Sequence, residues 1–235
     1  MFETTENYCS QEDVYMQNIN LDPAPSKKII AYNGIKQLIK EGTFARDTPL
    51  VERQLCEVLE VSRTPVREAL RELANEGLVE IIEGKGVYVK RIDYKDMIEI
   101  FELREALEMM TIKLFLERAG QYEVQRFEEL MEEQEEAYQK EEHAKFMKND
   151  MKLHNLIAEG AQNSRIRQVI SNIYDQIQQM AISVKDDSTI RDMAIRAHRS
   201  ILEAIKAKDV EQAQKAMAAH VVEVKEFYKD KYYLL

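Results

Sequence analysis

Residues 52–86, running Glu52-Arg53-Gln54-Leu55 through Val61-Ser62-Arg63-Thr64-Pro65-Val66-Arg67-Glu68-Ala69-Leu70-Arg71 to Glu83-Gly84-Lys85-Gly86, decide the fold. Ser62 is a good N-cap residue, and Pro65 in the first turn forfeits no intrahelical hydrogen bond, so a helix starts at Arg63. From there Val66, Ala69, Leu70, Leu73 and Ala74 recur at helical spacing as a buried stripe. Arg63, Arg67 and Arg71 stand one turn apart on another face and form a basic ridge. A short helix before it, about Val51 to Leu59, and a tight connection at Glu60-Val61 complete a helix-turn-helix, whose second helix enters the major groove N-terminus first. An arginine ridge alone would fit an ordinary amphipathic surface helix better than a DNA reader. The segment after the helix favours the DNA reader. Leu78-Val79-Glu80-Ile81-Ile82 and Val87-Tyr88-Val89 are β-rich runs joined by Glu83-Gly84-Lys85-Gly86, which reads as a hairpin, or wing. Gly84 and Gly86 let backbone approach a sugar-phosphate strand, and Lys85 puts a charge at the tip.

The stretch from Val61 to Leu73, continued by Glu76-Gly77-Leu78-Val79, resembles the signature of the GntR-type winged helix-turn-helix regulators, in the fatty-acid-metabolism-regulator branch with an all-helical (FCD-type) C-terminal ligand domain. The resemblance implies DNA contacts at Arg53, Ser62, Arg63, Thr64, Arg67 and Gly84, with Lys85 beside them. Two departures stand out: Arg46-Asp47 replaces a usual Pro-Gly, and Glu60 replaces a usual Gly before Val61. Both alter turns rather than the reading surface.

The chain has 235 residues and a net charge of −10, unevenly spread. Residues 26–92 hold twelve Lys/Arg against ten Asp/Glu, residues 1–25 hold five acids and no base, and residues 93–235 hold 21 bases against 28 acids. A mildly basic reader on an acidic body concentrates attraction for phosphate in one place. The length suits two compact domains. Cys9 and Cys56, the only cysteines, have no spacing for zinc, redox or disulfide chemistry, and Cys56 suits a small buried position. No signal peptide and no apolar run long enough for a bilayer is present, so a cytoplasmic location is expected.

Residues 1–25 are acidic and interrupted by Pro23 and Pro25, and read as a flexible arm. Ile29, Ile30, Asn33, Ile35, Leu38 and Ile39 supply the first helix of a winged domain spanning 26–92, ending near Gly42. From Tyr94 onward the pattern is helical throughout, predicting helices at about 94–118, 122–141, 144–160, 163–184, 189–207 and 210–231, with Asp209 to Gln212 as a capping box. The expected fold is therefore mainly α: a winged helix-turn-helix domain followed by an all-α bundle over 93–235. A GntR branch with a mixed sheet-and-helix ligand domain does not fit.

Within that bundle Asp150, His154, His198 and His220 occupy positions where the pattern calls for apolar residues. Asp150 and His154 are one turn apart, and each of the four is expected to point inward. Buried polar groups need partners, and a divalent cation shared by a carboxylate and imidazoles would be one; satisfied core histidines are the alternative. The resemblance implies a metal at these four residues. Imidazole and carboxylate suit zinc first, with nickel, manganese, iron and copper as alternatives. His143, in the charged run Glu141-Glu142-His143, reads as a surface residue. Arg104 aligns with a family arginine that would clamp an acid effector, or else it forms a helix-surface ion pair with Glu108 or Glu105.

The function expected is a homodimeric transcription regulator, by default a repressor, that binds a double-stranded DNA operator and senses a small carboxylic acid at a metal site in the C-terminal bundle. The resemblance implies dimerisation through the helical domain. Two alternatives stay open: a metal-dependent helical-bundle enzyme fused to a DNA-binding domain, and an architectural DNA-binding protein with a structural metal. Against a di-iron enzyme, His154, His198 and His220 are preceded three residues earlier by Met151, Ile195 and Met217 rather than Glu.

Overall fold

The computed structural model describes residues 25–44, 49–181, 184 and 187–232. The N-terminal arm over residues 1–24, with Cys9, and the Arg46-Asp47 turn lie outside them.

Helix α1 (Lys27–Lys40) opens on Ser26, whose hydroxyl accepts from the Ile29 amide at 3.3 Å. It buries Ala31, Ile35 and Ile39 against the two helices of the motif, α2 (Glu52–Leu59) and α3 (Arg63–Asn75). Leu55, Val61, Val66, Ala69, Leu70 and Leu73 close the same core, with Cys56 half-buried against it. The turn between α2 and α3 survives the missing glycine because Glu60 adopts the left-handed conformation, φ 54° and ψ 39°. Ser62 stands at the N-cap position of α3 but its side chain makes no capping bond, contrary to the expectation. Its hydroxyl is left free at the leading end of the helix.

Strands β1 (Val79–Ile82) and β2 (Gly86–Val89) pair antiparallel, with Val79 opposite Val89 and Ile82 opposite Gly86. At the tip Gly84 has φ 73° and Gly86 φ 122°, conformations that side chains rarely adopt, and a Cβ at either would meet nothing within 4 Å. The wing tip is open on all sides.

The remaining described chain is helical: α4 (Tyr94–Arg118), α5 (Gln121–Gln139), α6 (His143–Gly160), α7 (Ser164–Ala181), α8 (Ser188–Ala207) and α9 (Val210–Tyr232). The ends fall where capping chemistry stops them. Asp93 and Asp96 form a reciprocal capping box for α4, and Asp209 accepts from the Gln212 amide at 2.9 Å before α9. The two largest apolar clusters of this bundle gather around Phe115, Phe127, Leu153 and Ile201 and around Met97, Phe101, Val221 and Phe227, with smaller ones at Phe146 and Ile170.

Contacts along α7 join the bundle to the winged domain. Asp175 Oδ1 accepts from Lys40 Nζ at 2.9 Å. Its Oδ2 lies 2.6 Å from Lys36 Nζ, an ion pair by distance, although the oxygen is not aligned as a good hydrogen-bond acceptor. Lys36 also reaches Glu76 at 3.1 Å, so one ammonium touches both domains. Gln176 Nε2 donates to the Glu76 carbonyl at 2.7 Å and Gln179 Nε2 to the Lys90 carbonyl at 2.6 Å. Gly77, at φ 75°, occupies a conformation that side chains rarely adopt, and a Cβ there would also lie 2.7 Å from Gln176 Nε2 and displace that amide. A cavity of about 470 Å³ opens beside this junction, lined by Tyr32, Lys36, Glu159, Arg167 and Gln168 among others.

Candidate DNA-reading surface and histidine centre

The residues assigned to DNA occupy three adjoining features. Arg53 stands exposed on α2, Ser62, Arg63, Thr64 and Arg67 are exposed at the start of α3, and Gly84 and Lys85 form the wing tip. Two of the arginines are not idle. Arg67 Nε donates to both carboxylate oxygens of Glu52 at 2.9 Å, and Arg53 lies 3.8 Å from Glu57.

In the bundle the structure brings His154 of α6, His198 of α8 and His220 of α9 together, all buried. Each offers a ring nitrogen within 4.8 Å of the others, and the ring centroids are 5.0–5.3 Å apart. Asp150 lies beside them but is only half-buried, so it does not point fully inward as expected; its Oδ1 is 3.7 Å from His198 Nε2. His143 heads α6, away from the cluster, and is partly exposed.

Partners of the rings are unequally distributed. His154 Nδ1 lies 3.3 Å from Glu108 Oε2, and His198 Nδ1 lies 2.8 Å from Gln134 Oε1. Among the described residues, His198 Nε2 and both ring nitrogens of His220 are buried without a hydrogen-bond partner. Leaving a buried polar group unsatisfied costs about 1–3 kcal/mol, so three at one point require an explanation. Burial chiefly holds His198 down, to about 4, partly opposed by Asp150, and burial together with His198 and Arg104 holds His220 well below the usual imidazole range. Both rings are therefore neutral, the form that donates a lone pair to a cation. A metal ion fits this donor set: orphaned, deprotonated nitrogens from separate helices with a carboxylate at hand.

Arg104 is not the surface residue that the ion-pair expectation described. It is buried, its Nε donates to Glu108 Oε1 at 2.8 Å, and Nη2 approaches His154 Nε2 at 3.5 Å. The pair with Glu108 exists, but in the core rather than on the helix surface. Burial works to raise the Glu108 carboxyl, yet His154 and Arg104 outweigh it and hold it well below the carboxylate range. The Tyr174 ring packs 5.4 Å from that of His154 and 5.8 Å from the Arg104 guanidinium carbon, closing one side. Gln134 and Tyr174 were not anticipated from sequence, and Glu108 was anticipated only as a surface partner of Arg104. Gln134 had a signal: it falls on the periodic row Phe127, Leu130, Met131, Gln134 and Ala137 that α5 buries. The cavity at the domain junction has none of the three histidines in its lining.

A winged reader whose helix tip and wing are exposed, joined to a helical bundle with a buried polar centre, defines a DNA-binding transcription regulator. The comparisons agree. The profile described as bacterial regulatory proteins, gntR family, matches residues 30–89, and the FCD domain matches residues 99–223. The chain belongs to the GntR family, with an FCD C-terminal domain. It is similar to the uncharacterized HTH-type transcriptional regulator YdhC of Bacillus subtilis strain 168, 29% identical over 206 residues that cover 87% of this chain and 92% of the relative. It is also 25% identical to the HTH-type transcriptional repressor RspR of Escherichia coli K12, over 88% of this chain and 90% of that one. Among solved structures, E. coli McbR/YncC superposes with a TM-score of 0.77 at 21% identity, covering 88% of this chain and 99% of its own, which supports the fold. The family and these relatives are regulators, which sets aside the fused-enzyme alternative. Among the described residues no helix is long and apolar enough to cross a membrane.

Proposed function

We propose that this regulator is a repressor whose grip on its operator is set by a small organic acid bound at a metal centre in the bundle. Residues 26–92 are the reader, and 93–235 hold the sensor and the homodimer contact. The observation that carries this reading is the convergence of three buried histidines, two of which keep unpartnered ring nitrogens among the described residues. His154, His198 and His220, with Asp150, would hold a divalent transition ion, zinc first among the candidates. Bound there, such an ion supplies a Lewis-acidic site for a carboxylate. Arg104 is the second anchor for the acid, exchanging its approach to His154 for the ligand's oxygens while Glu108 keeps the guanidinium in place.

The reader senses this through α7. Tyr174 walls the histidine centre and the next residue, Asp175, holds Lys36 and Lys40 of α1. A ligand that moves Tyr174 therefore moves the residue that fixes the winged domain. Only differential affinity for two placements can shift operator binding, and the coupling must be reciprocal. A DNA-binding protein with a merely structural metal would lack this response.

The test uses an operator duplex selected from a random library with the purified protein. Operator affinity is titrated with a panel of mono-, di- and tricarboxylates, before and after chelation and after zinc repletion. Expected is an acid that lowers operator affinity only in zinc-loaded protein. Acid responses that persist unchanged after metal removal, confirmed by elemental analysis, would overturn the reading.

A further inference from the structure

We propose that Gln134 is the residue that prepares His198 as a ligand, by relaying the charge of Asp150 into the choice of which imidazole nitrogen carries the proton. The proposal rests on the metal reading above and deepens it. Gln134 is fully buried on α5 between apolar neighbours, where an amide is tolerated only if both of its ends are used. Both are. Its Nε2 lies 3.2 Å from Asp150 Oδ1 and its Oε1 lies 2.8 Å from His198 Nδ1.

The two ends of the amide are chemically distinct, and only one orientation satisfies the charges. A carboxylate accepts and cannot donate, so the amide NH2 must face Asp150. The carbonyl oxygen then faces His198 Nδ1, which has to be the protonated nitrogen. A neutral imidazole carries one N–H, so Nε2 is left as a bare lone pair. That atom is the buried one without a partner, 3.7 Å from Asp150 Oδ1. With the amide reversed, its carbonyl would face the carboxylate and its NH2 would face Nδ1. The proton would then sit on Nε2 and close the ligand position.

Glu108 does the same for His154 from another helix. Its Oε2 accepts from Nδ1 at 3.3 Å, and Arg104 Nη2, a donor only, stands 3.5 Å from Nε2, which is compatible with a bare nitrogen there. Among the described residues His220 has no hydrogen-bond partner on either nitrogen, so nothing there fixes its tautomer. Two of the three rings are preset, and the third adjusts on binding.

The experiment reads tautomers by long-range 1H–15N NMR on metal-free, full-length protein, and zinc affinity separately by competition with a chromophoric chelator. Expected in wild type are single Nδ1–H tautomers at His154 and His198 and a mixture at His220. Gln134→Leu should make His198 a mixture and weaken zinc binding about 10–100-fold. Gln134→Glu keeps an acceptor on Nδ1 and should preserve the His198 tautomer, which also guards against misfolding of the leucine variant. Asp150→Leu gives the decisive sign. Direct attraction between Asp150 and His198 Nε2 favours a proton on Nε2, so its loss alone would strengthen the Nδ1–H form, whereas loss of the relay releases Gln134 and yields a mixture. A mixed His198 in wild type, or a Nδ1–H form that survives both Gln134→Leu and Asp150→Leu, overturns the proposal. Wild-type protein that takes up no zinc overturns the metal reading instead, and the metal-free tautomers keep the two failures apart.

Discussion

Asp175→Asn attacks the joint between reader and sensor while leaving every side chain assigned to DNA or metal untouched. The carboxylate is almost fully buried, at 6% side-chain exposure, and holds Lys36 at 2.6 Å and Lys40 at 2.9 Å, which are 15% and 28% exposed. Breaking a buried ion pair costs about 3–5 kcal/mol because the surviving charge is stranded, but Lys36 keeps Glu76 at 3.1 Å and Lys40 can turn to water, so about 2–3 kcal/mol is expected here. Burial disfavours the charged Lys36, and the bonds to Asp175 and Tyr32 more than offset it, so its ammonium stays above the usual lysine value. Removing the carboxylate takes away the larger of these supports. The loss should appear as faster hydrogen exchange along α1 and α7, with the winged-domain core holding its own protection. Operator affinity of the zinc-loaded protein should then cease to respond to the acid, while zinc affinity itself stays within about twofold of wild type, as expected for a site not touched directly. A variant that melts like wild type and whose operator affinity still responds fully to the acid would refute the coupling through α7.

Three further outcomes are expected. Arg63→Ala and Arg67→Ala should each relax sequence preference by about 1–3 kcal/mol, whereas Lys85→Ala should weaken binding to selected and scrambled duplexes alike; competition binding with both duplexes distinguishes these effects. In metal-free protein the His198 imidazole titrates at about 4 instead of 6.5, so the unfolded chain binds the extra proton first and stability falls as pH drops from 6.5 toward 4. The slope is about 1.4 kcal/mol per pH unit for that group, with His220 adding in the same direction; urea melts at pH 7.5, 6.5 and 5.5 that coincide would exclude it. Glu60→Gly should stabilise the winged domain by up to about 1 kcal/mol, since the left-handed conformation at φ 54° strains an L side chain, and thermal melts measure the gain.

The architecture was legible because its signals are local. Asp209 marks the start of the last helix, and the apolar rows keep helical period from element to element, which placed each bundle helix within a few residues of its observed ends. The histidine centre was legible because His154, His198 and His220 break those rows from within. The groups around it were not. Gln134 sits inside Glu132-Glu133-Gln134-Glu135-Glu136, where composition announces a solvated face and only the register of α5 reveals a core position. Glu108 looked like a partner for a surface arginine, because i, i+4 spacing says which residues meet and nothing about whether they meet in water. The joint at Asp175 depends on how two domains dock, and no periodicity within either one encodes that.

The pairing of Arg67 with Glu52 has a consequence for searching along DNA. Away from its target, this arginine is already neutralised by a carboxylate at 2.9 Å, with side chains 58% and 34% exposed. An ion pair of this kind is worth about 0–1 kcal/mol, less than the 1–3 kcal/mol from a bidentate contact to a guanine edge. A matching base therefore wins the arginine from Glu52, while a random backbone phosphate offers little improvement on the partner it would replace. If Arg67 reads a base, the acid beside it works as an editor of encounters: it trims the residence time on wrong sequences, at the cost of a small fraction of the affinity for the right one.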